Sequence, residues 1–477
     1  MDRTTSRSAR PARPAVASPS TGLPLADALR EHLPDELIDQ ALADENVVLR
    51  DSFFTPKVIL WTFLTQVFHV GASCRSALIR LFAGRFSARD EPGDDFGGDD
   101  CPTSTGGFCK ARQRLPEPVY RRIVRLVAQR AGRAAGDAGW DWKGHPVKVV
   151  DGTSVSMPDT PANQAEYPQQ KNQKRGVGFP LARMLLWLDL ASGCVQSFAM
   201  AAWAGKGRGE GSLLARHLPG EIQPGEVVLG DCNFSVYWLL SSLAARGAHY
   251  VGALSGTRRA DYRKGRRLGP TDHVVVWRKP PHKQPAMTQP EWDALPATLG
   301  VRRMRVRVVR RGCRTRTLEI VTTLRDAESY AKDDVAELYR RRWQIELHLR
   351  SLKSGMKMGV LRCRSPGMVR REVAIHLLVF DVVRSVMVSA AGSKRAPWRL
   401  SFTAAREAVE AFATRLPSLS PRKRASAQEA MLGRIAKEEV DERPGRSEPR
   451  VLKRRPKDCK YMTKPRDQYP RNTKTCA

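Results

Sequence analysis

Tyr339, Arg342, Glu346 and Lys353 are separated by three, four and seven residues, a spacing with meaning on a helix. At roughly 100° per residue all four fall within about 40° of the Glu346 direction, and Arg350 joins them one turn later. Leu338, Ile345, Leu349, Leu352 and Met356 form the neighbouring apolar stripe. One face would pack inward and the next would present a single carboxylate among cations and a phenol. Periodicity alone leaves a plainer reading open, a solvated face with weak Arg342–Glu346 and Glu346–Arg350 pairs. Two aspartates widen the choice. Asp151 follows the apolar run Val147–Val150, and Asp231 follows Val227–Gly230. Carboxylates at strand ends sit on the sheet rim, where open α/β sheets hold ligands, although a turn aspartate fits each position by itself. Asp189 also ends an apolar strand and is read as a turn residue.

Taken together, three carboxylates from separate segments can hold two Mg2+ ions about 4 Å apart, the arrangement for in-line attack at a phosphodiester. Mg2+ prefers oxygen ligands, so the lack of His and Cys beside these residues suits it. Arg342 and Lys353 would neutralise phosphates, and Tyr339 would hydrogen-bond or stack beside them.

Several elements must position these groups. Hydrophobic alternation predicts strands at Val147–Val150, Met184–Asp189 and Cys194–Ala201, the last two joined as a hairpin by Ala191-Ser-Gly. A Gly-rich basic loop (205–211) lacks the order of a phosphate-binding P-loop. A helix from Ser212, a strand at Glu226–Gly230, a helix over Ser235–Ala245 and a strand at His249–Leu254 follow. Strand-rich basic sequence runs from 256 to about 325, and one long helix is predicted from Asp333 to Gly355. The order is that of a mixed α/β sheet with helices on both faces. The units are a disordered basic tail (1–23), an N-terminal helical DNA-binding domain (24–135), a core in two parts (145–255 and 329–392) split by a β-rich insertion (256–328), C-terminal helices (400–440) and a basic tail (441–477). Ser104 to Pro116 reads as a capped basic helix suited to a phosphate backbone, and the acidic stretch Asp90–Asp100 as a surface loop.

Composition narrows the partner. With 81 Lys+Arg against 49 Asp+Glu, the 477-residue chain carries +32 and a pI near 10.4, which points to a polyanion, nucleic acid first. Hydrophobic residues at 41% supply real cores and exclude a wholly disordered chain. Nine scattered cysteines without a C-x-x-C pair read as reduced cytosolic thiols. No membrane span is expected, because the most apolar stretch, Val373–Val388, contains His376, Asp381 and Arg384.

The string Tyr339-x2-Arg342-x3-Glu346-x6-Lys353 is similar, position for position, to the Y-R-E-K signature of DDE transposases of the bacterial insertion-sequence-four family. Asp151-Gly-Thr and Gly230-Asp231 resemble that family's first and second catalytic aspartates, and the block before Glu346 resembles its β insertion in a ribonuclease-H-like fold. The Ser104–Pro116 segment and the tail from Arg443 resemble its DNA-binding ends. The resemblance implies a cut-and-paste enzyme with catalytic Asp151, Asp231 and Glu346 holding two Mg2+ ions, for which Mn2+ substitutes. It implies binding to double-stranded DNA, both terminal inverted repeats and target, in a homodimeric synaptic complex in the bacterial cytoplasm, associated with the nucleoid. Tyr339, Arg342 and Lys353 would grip terminal phosphates, and Arg350, on the same helix face, is read as a further contact to the DNA end. One departure stands out. Relatives that form hairpin ends hold a flipped base on an aromatic of the last insertion strand, and Leu318–Thr323 has none. Trp277 is the nearest candidate and Trp343 the second, although both also read as core tryptophans. Glu210 and His217 precede the second aspartate and are read as outer residues, or simply as a helix start and a surface histidine. A non-catalytic DNA-binding protein or repressor, or a nuclease without strand transfer, remains as the alternative.

Overall fold

The computed structural model describes residues 23–48, 52–87, 104–256, 258, 261–308, 316–440 and 461–469. The acidic stretch 90–100, almost all of the basic tail 1–23 and most of the tail beyond 440 lie outside the described residues.

Six helices come first: α1 (Pro24–Leu29), α2 (Asp35–Asp44), α3 (Pro56–Phe68), α4 (Cys74–Ser87), α5 (Thr105–Arg114) and α6 (Glu117–Asp137). α3 is buried on nearly every side, as its almost uninterrupted apolar sequence requires. α5 differs from the expected basic cap. Ser104 occupies the N-cap position but its side chain caps nothing. Arg112 is buried, donating to Gln66 Oε1 at 3.2 Å and to the thiols of Cys74 and Cys109 at 3.4 Å, so of this helix's cationic side chains only Lys110 and Arg114 face solvent.

The sheet begins with β1 (Val147–Ser156), followed after α7 (Pro161–Glu166) by β2 (Leu181–Asp189) and β3 (Val195–Ala202). α8 (Glu210–His217) leads to β4 (Val227–Gly230), and α9 (Tyr237–Ala245) to β5 (His249–Ala253). Then come β6 (Arg266–Gly269), β7 (Asp272–Arg278), α10 (Gln289–Asp293), β8 (Thr298–Val308) and β9 (Arg316–Thr322). All join one nine-stranded sheet in the order β3-β2-β1-β4-β5-β9-β8-β7-β6. β1 pairs antiparallel with β2 but parallel with β4, and β4 pairs parallel with β5, so the first five strands form the ribonuclease-H-like mixed core. β9 returns antiparallel along β5, and the 256–328 stretch thereby extends the same sheet.

The helices α11 (Lys332–Arg341), α12 (Gln344–Arg350), α13 (Pro366–Ala391), α14 (Phe402–Ala413) and α15 (Pro421–Ile435) complete the chain. α13 is long and apolar enough to cross a membrane by composition, yet 89% of its most apolar window is buried in the protein. Its three polar interruptions are accounted for by packing. Asp381 Oδ1 accepts from Val195 N at 2.8 Å, Arg384 donates to Ser192 O at 2.6 and 2.8 Å, and His376 is buried in the core. The helix is docked on the β2–β3 turn by the residues that break its apolar run.

Candidate active site

Strand alternation brings the two aspartates together. In the parallel β1–β4 register Val147, Lys148 and Val149 stand opposite Val227, Val228 and Leu229. Continued by two residues, that register sets Asp151 level with Asp231, on strands about 4.8 Å apart. Side chains alternate across a strand, so Val147, Val149 and Asp151 share a face with Val227, Leu229 and Asp231. The four apolar members pack in one cluster with Val335, Leu338 and Ile345, so the face that carries both aspartates is the one covered by α11 and α12. Asp151 lies inside β1, not beyond its end as the sequence suggested. The rim exists because β4 stops at Gly230, where Asp231 turns the chain by accepting from Asn233 N at 2.9 Å.

The predicted single helix is interrupted at the point where it meets this rim. α11 ends at Arg341, and Arg342 and Trp343 form a tight turn in which Ile345 N bonds Arg342 O and Glu346 N bonds Trp343 O, an i−3 pattern. After α12 the chain loosens into a π turn over Ser351–Gly355, with Met356 N bonded to Ser351 O. Neither proline nor a helix-interior glycine causes the interruption; it coincides with the charged residues at the sheet edge.

Arg342 links two of the three carboxyl groups. Its Nη1 is 3.9 Å from Asp151 Oδ2 and its Nη2 is 4.0 Å from Glu346 Oε1. Its guanidinium also lies 5.9 Å from the centre of the Tyr339 ring. Burial pushes the Asp151 carboxyl up to about 6; the Gly152 N–H and Arg342 oppose this, while Asp231 and Glu210 add to it. Burial likewise raises the Tyr339 phenol, keeping it a hydrogen-bond donor, with Arg342 pulling the other way. Lys353 and Arg350 are placed differently. Arg350 is exposed at the end of α12, and Lys353 lines a cleft of about 730 Å³ shared with Lys357, Arg362 and Arg364. Trp277 is 7% exposed in an apolar cluster with Arg258 4.0 Å above its ring, which makes it a core residue. Trp343 is 52% exposed beside Arg342. Asp189 is structural: buried, it receives Lys148 Nζ at 3.0 Å and Ser192 N at 2.9 Å. His217 is a surface residue.

Glu210 is closer than its sequence position suggested. A side chain on Gly152, the residue after Asp151, would meet Glu210 Oε1 at 2.2 Å. The signal was present in the glycine that follows the aspartate and in the acidic first residue of α8.

A family model described as a transposase DDE domain matches residues 142–380, half of the chain and the whole span from before Asp151 to beyond Lys353. The chain belongs to the DDE transposases. Within them the transposase falls in the insertion-sequence-four family, and it is 26% identical over 445 residues to the transposase InsG for insertion sequence element IS4 of Escherichia coli strain K12, covering 92% of this chain and 94% of the relative. It also resembles the piggyBac transposase, seen by cryo-EM in a synaptic complex with hairpin DNA, at TM-score 0.40 and 10% identity over 89% of this chain and 87% of that one, a likeness too slight to bear on fold or function. The transposase is thus a DNA-acting enzyme that cleaves and joins strands with divalent metal ions. The donor set fits such ions, being carboxylate oxygens on half-buried side chains. Among the described residues no three acidic, histidine or cysteine side chains are gathered at one point, and Arg342 stands between Asp151 and Glu346.

Proposed function

We propose that Asp151, Asp231 and Glu346 are the residues that hold two divalent cations, Mg2+ with Mn2+ as a substitute, in a transposase that excises and integrates an insertion sequence. The observation that carries this reading is the β1–β4 register that levels Asp151 with Asp231, with Arg342 reaching both Asp151 and Glu346. The cations, when bound, lower the pKa of the attacking water or 3′-hydroxyl and stabilise the leaving 3′-oxygen.

The protein's own groups do the rest. Arg342 neutralises the carboxylates of the rim and offers its charge to a DNA phosphate at the same place. Tyr339, kept protonated by burial, donates its hydroxyl to that phosphate. Lys353, with Lys357, Arg362 and Arg364 along its cleft, draws in the DNA backbone beyond the cleaved bond. Arg350 adds an outer contact. Terminal inverted repeats and target DNA bind to a homodimer, with 24–135 and the basic tail 441–477 gripping the duplex, 145–255 and 329–392 forming the core, 256–328 the insertion and 400–440 the C-terminal helices. If ends are processed through hairpins, exposed Trp343 and not buried Trp277 is the aromatic available to an extruded base.

The deciding experiment incubates purified protein with end-labelled inverted-repeat DNA and Mg2+. Cleaved and joined products are expected. A gel shift without cleavage indicates a DNA-binding derivative, and cleavage without joining indicates a nuclease. Asp151→Ala, Asp231→Ala and Glu346→Ala should each abolish cleavage while leaving salt-sensitive DNA binding in place. Any one of them cleaving at the wild-type rate removes that residue from the centre.

A further inference from the structure

We propose that the loop between α7 and β2 reads the base sequence of the inverted repeat, with Asn172 and Arg175 contacting base edges. The inference rests on the reading of the protein as one that binds and cleaves the ends of an insertion sequence. It adds the residues that select those ends.

The loop is held in one shape without helix or strand. The Gln169 carboxamide uses its bonding capacity inside it: Oε1 accepts from Gly176 N at 3.0 Å and Gly178 N at 3.2 Å, and Nε2 donates to Gln173 O at 3.2 Å and Lys174 O at 2.9 Å. Gln164 Nε2 ties the root of the loop to Asp159 Oδ1 at 2.8 Å and Gly178 O at 3.1 Å. Inner amides thus fix the backbone, while the tip from Lys171 to Arg175 is exposed. A tip ordered before binding loses less entropy when it docks.

The chemistry of the tip suits DNA. Residues 168–180 include no carboxylate, and among the described residues Lys171, Lys174 and Arg175 form no ion pair. Unpaired cations without an acidic neighbour call for a polyanion. Asn and Arg are the side chains whose donors and acceptors match purines in the major groove, Asn on adenine and Arg on guanine.

Position relates the loop to the DNA end. Ser156 lies five residues beyond Asp151 on β1 and pairs with Leu181, where β2 leaves the loop. The same end of β1 is bonded to the segment that lines the Lys353 cleft: Ser156 N donates to Gly359 O at 3.1 Å and Leu361 N to Ser156 O at 2.8 Å. Thr160 Oγ1 donates to Arg364 O at 2.9 Å, which sets the loop beside that cleft. Five strand residues span about 17 Å, or about five base pairs of duplex. A DNA end with its cleaved bond at Asp151 and its backbone in the cleft runs on to the loop at about the fifth pair and beyond.

The test is a binding titration of full-length protein on two duplexes of equal length, one carrying the inverted repeat that flanks the element and one with a scrambled sequence. Wild type should prefer the repeat, and base substitutions near pairs five to eight should remove part of that preference. Arg175→Lys keeps the charge but loses the fork. It should bind the scrambled duplex like wild type and the repeat about tenfold more weakly. Asn172→Ala should do the same, and neither variant should respond fully to those base substitutions. Lys174→Ala should instead weaken both duplexes equally and reduce the salt slope by about one. Unchanged binding of the scrambled duplex shows that a variant is folded. Wild-type preference in both Arg175→Lys and Asn172→Ala overturns the proposal. An equal loss on the two duplexes also overturns it, leaving the loop a phosphate contact. If wild type neither prefers nor cleaves the repeat duplex, the reading of the protein as an end-binding transposase fails first.

Discussion

At the scale of single residues, charge and aromatic character matter through exposure. Lys353 sits half-buried in a cationic cleft, and its ammonium contacts no carboxylate of the centre. Lys353→Ala should weaken binding to end DNA and reduce the salt dependence of log K by about one; an unchanged slope in a filter-binding titration would take Lys353 off the phosphates. Trp343 is exposed and touches no core cluster, so Trp343→Ala should melt like wild type. It is expected to nick DNA but lose hairpin product on a denaturing gel, and wild-type hairpin yield would assign the extruded base elsewhere. The spacing of Tyr339, Arg342, Glu346 and Lys353 in the sequence singled out the candidate helix, but it could not separate Arg342, which joins two carboxylates, from Lys353, which lines a neighbouring cleft. That division depends on where the helix tightens and loosens.

Among the elements, the contact of α13 with the β2–β3 turn ties a helix to the sheet by side-chain to backbone bonds. Gly193 in that turn has φ +75°, and a Cβ there would lie 2.6 Å from Arg384 Nη2, the group that holds Ser192 O. Gly193→Ala should therefore cost about 1–3 kcal/mol in backbone strain, with a further loss from the displaced guanidinium. Gly139→Ala supplies the comparison, since Gly139 has φ +85° and nothing within 4 Å. Urea denaturation should rank Gly193→Ala as the more destabilised of the two. Equal midpoints would show that the Arg384 contact adds nothing. Such docking was hidden in the sequence, where Asp381 and Arg384 read only as interruptions of an apolar run.

Across the whole molecule, three histidines are buried around α13: His32, His348 and His376. Burial lowers His32 to about 4 and His376 to about 3, and His348 well below its usual value. His32 Nδ1 meets Ser385 Oγ at 2.9 Å, and His348 lies against Phe380. A histidine kept neutral in the fold but free to protonate when unfolded contributes stability in full above pH 6.5. That contribution is lost as the pH falls from there through the folded values. The melting temperature should drop steadily between pH 6.5 and 4, with His32 alone accounting for on the order of 3 kcal/mol at the acid end. A flat profile over that interval would show that these rings are solvated.

The sequence by itself determined the mixed α/β order and the basic charge that calls for a polyanionic partner, and it offered the candidate residues of the centre, because period-2 alternation, helical spacing and charge are local properties of the chain. It placed Asp189 correctly as structural and offered Trp343 as an alternative to Trp277. Only the tertiary structure decided that Asp151 and Asp231 are level, because a shared parallel register forms between strands 80 residues apart, with Val147 facing Val227. Only it buried Trp277, drew Arg112 away from solvent and brought Glu210 across Gly152, since burial and close approach depend on which surfaces meet and not on which residues are neighbours in the chain.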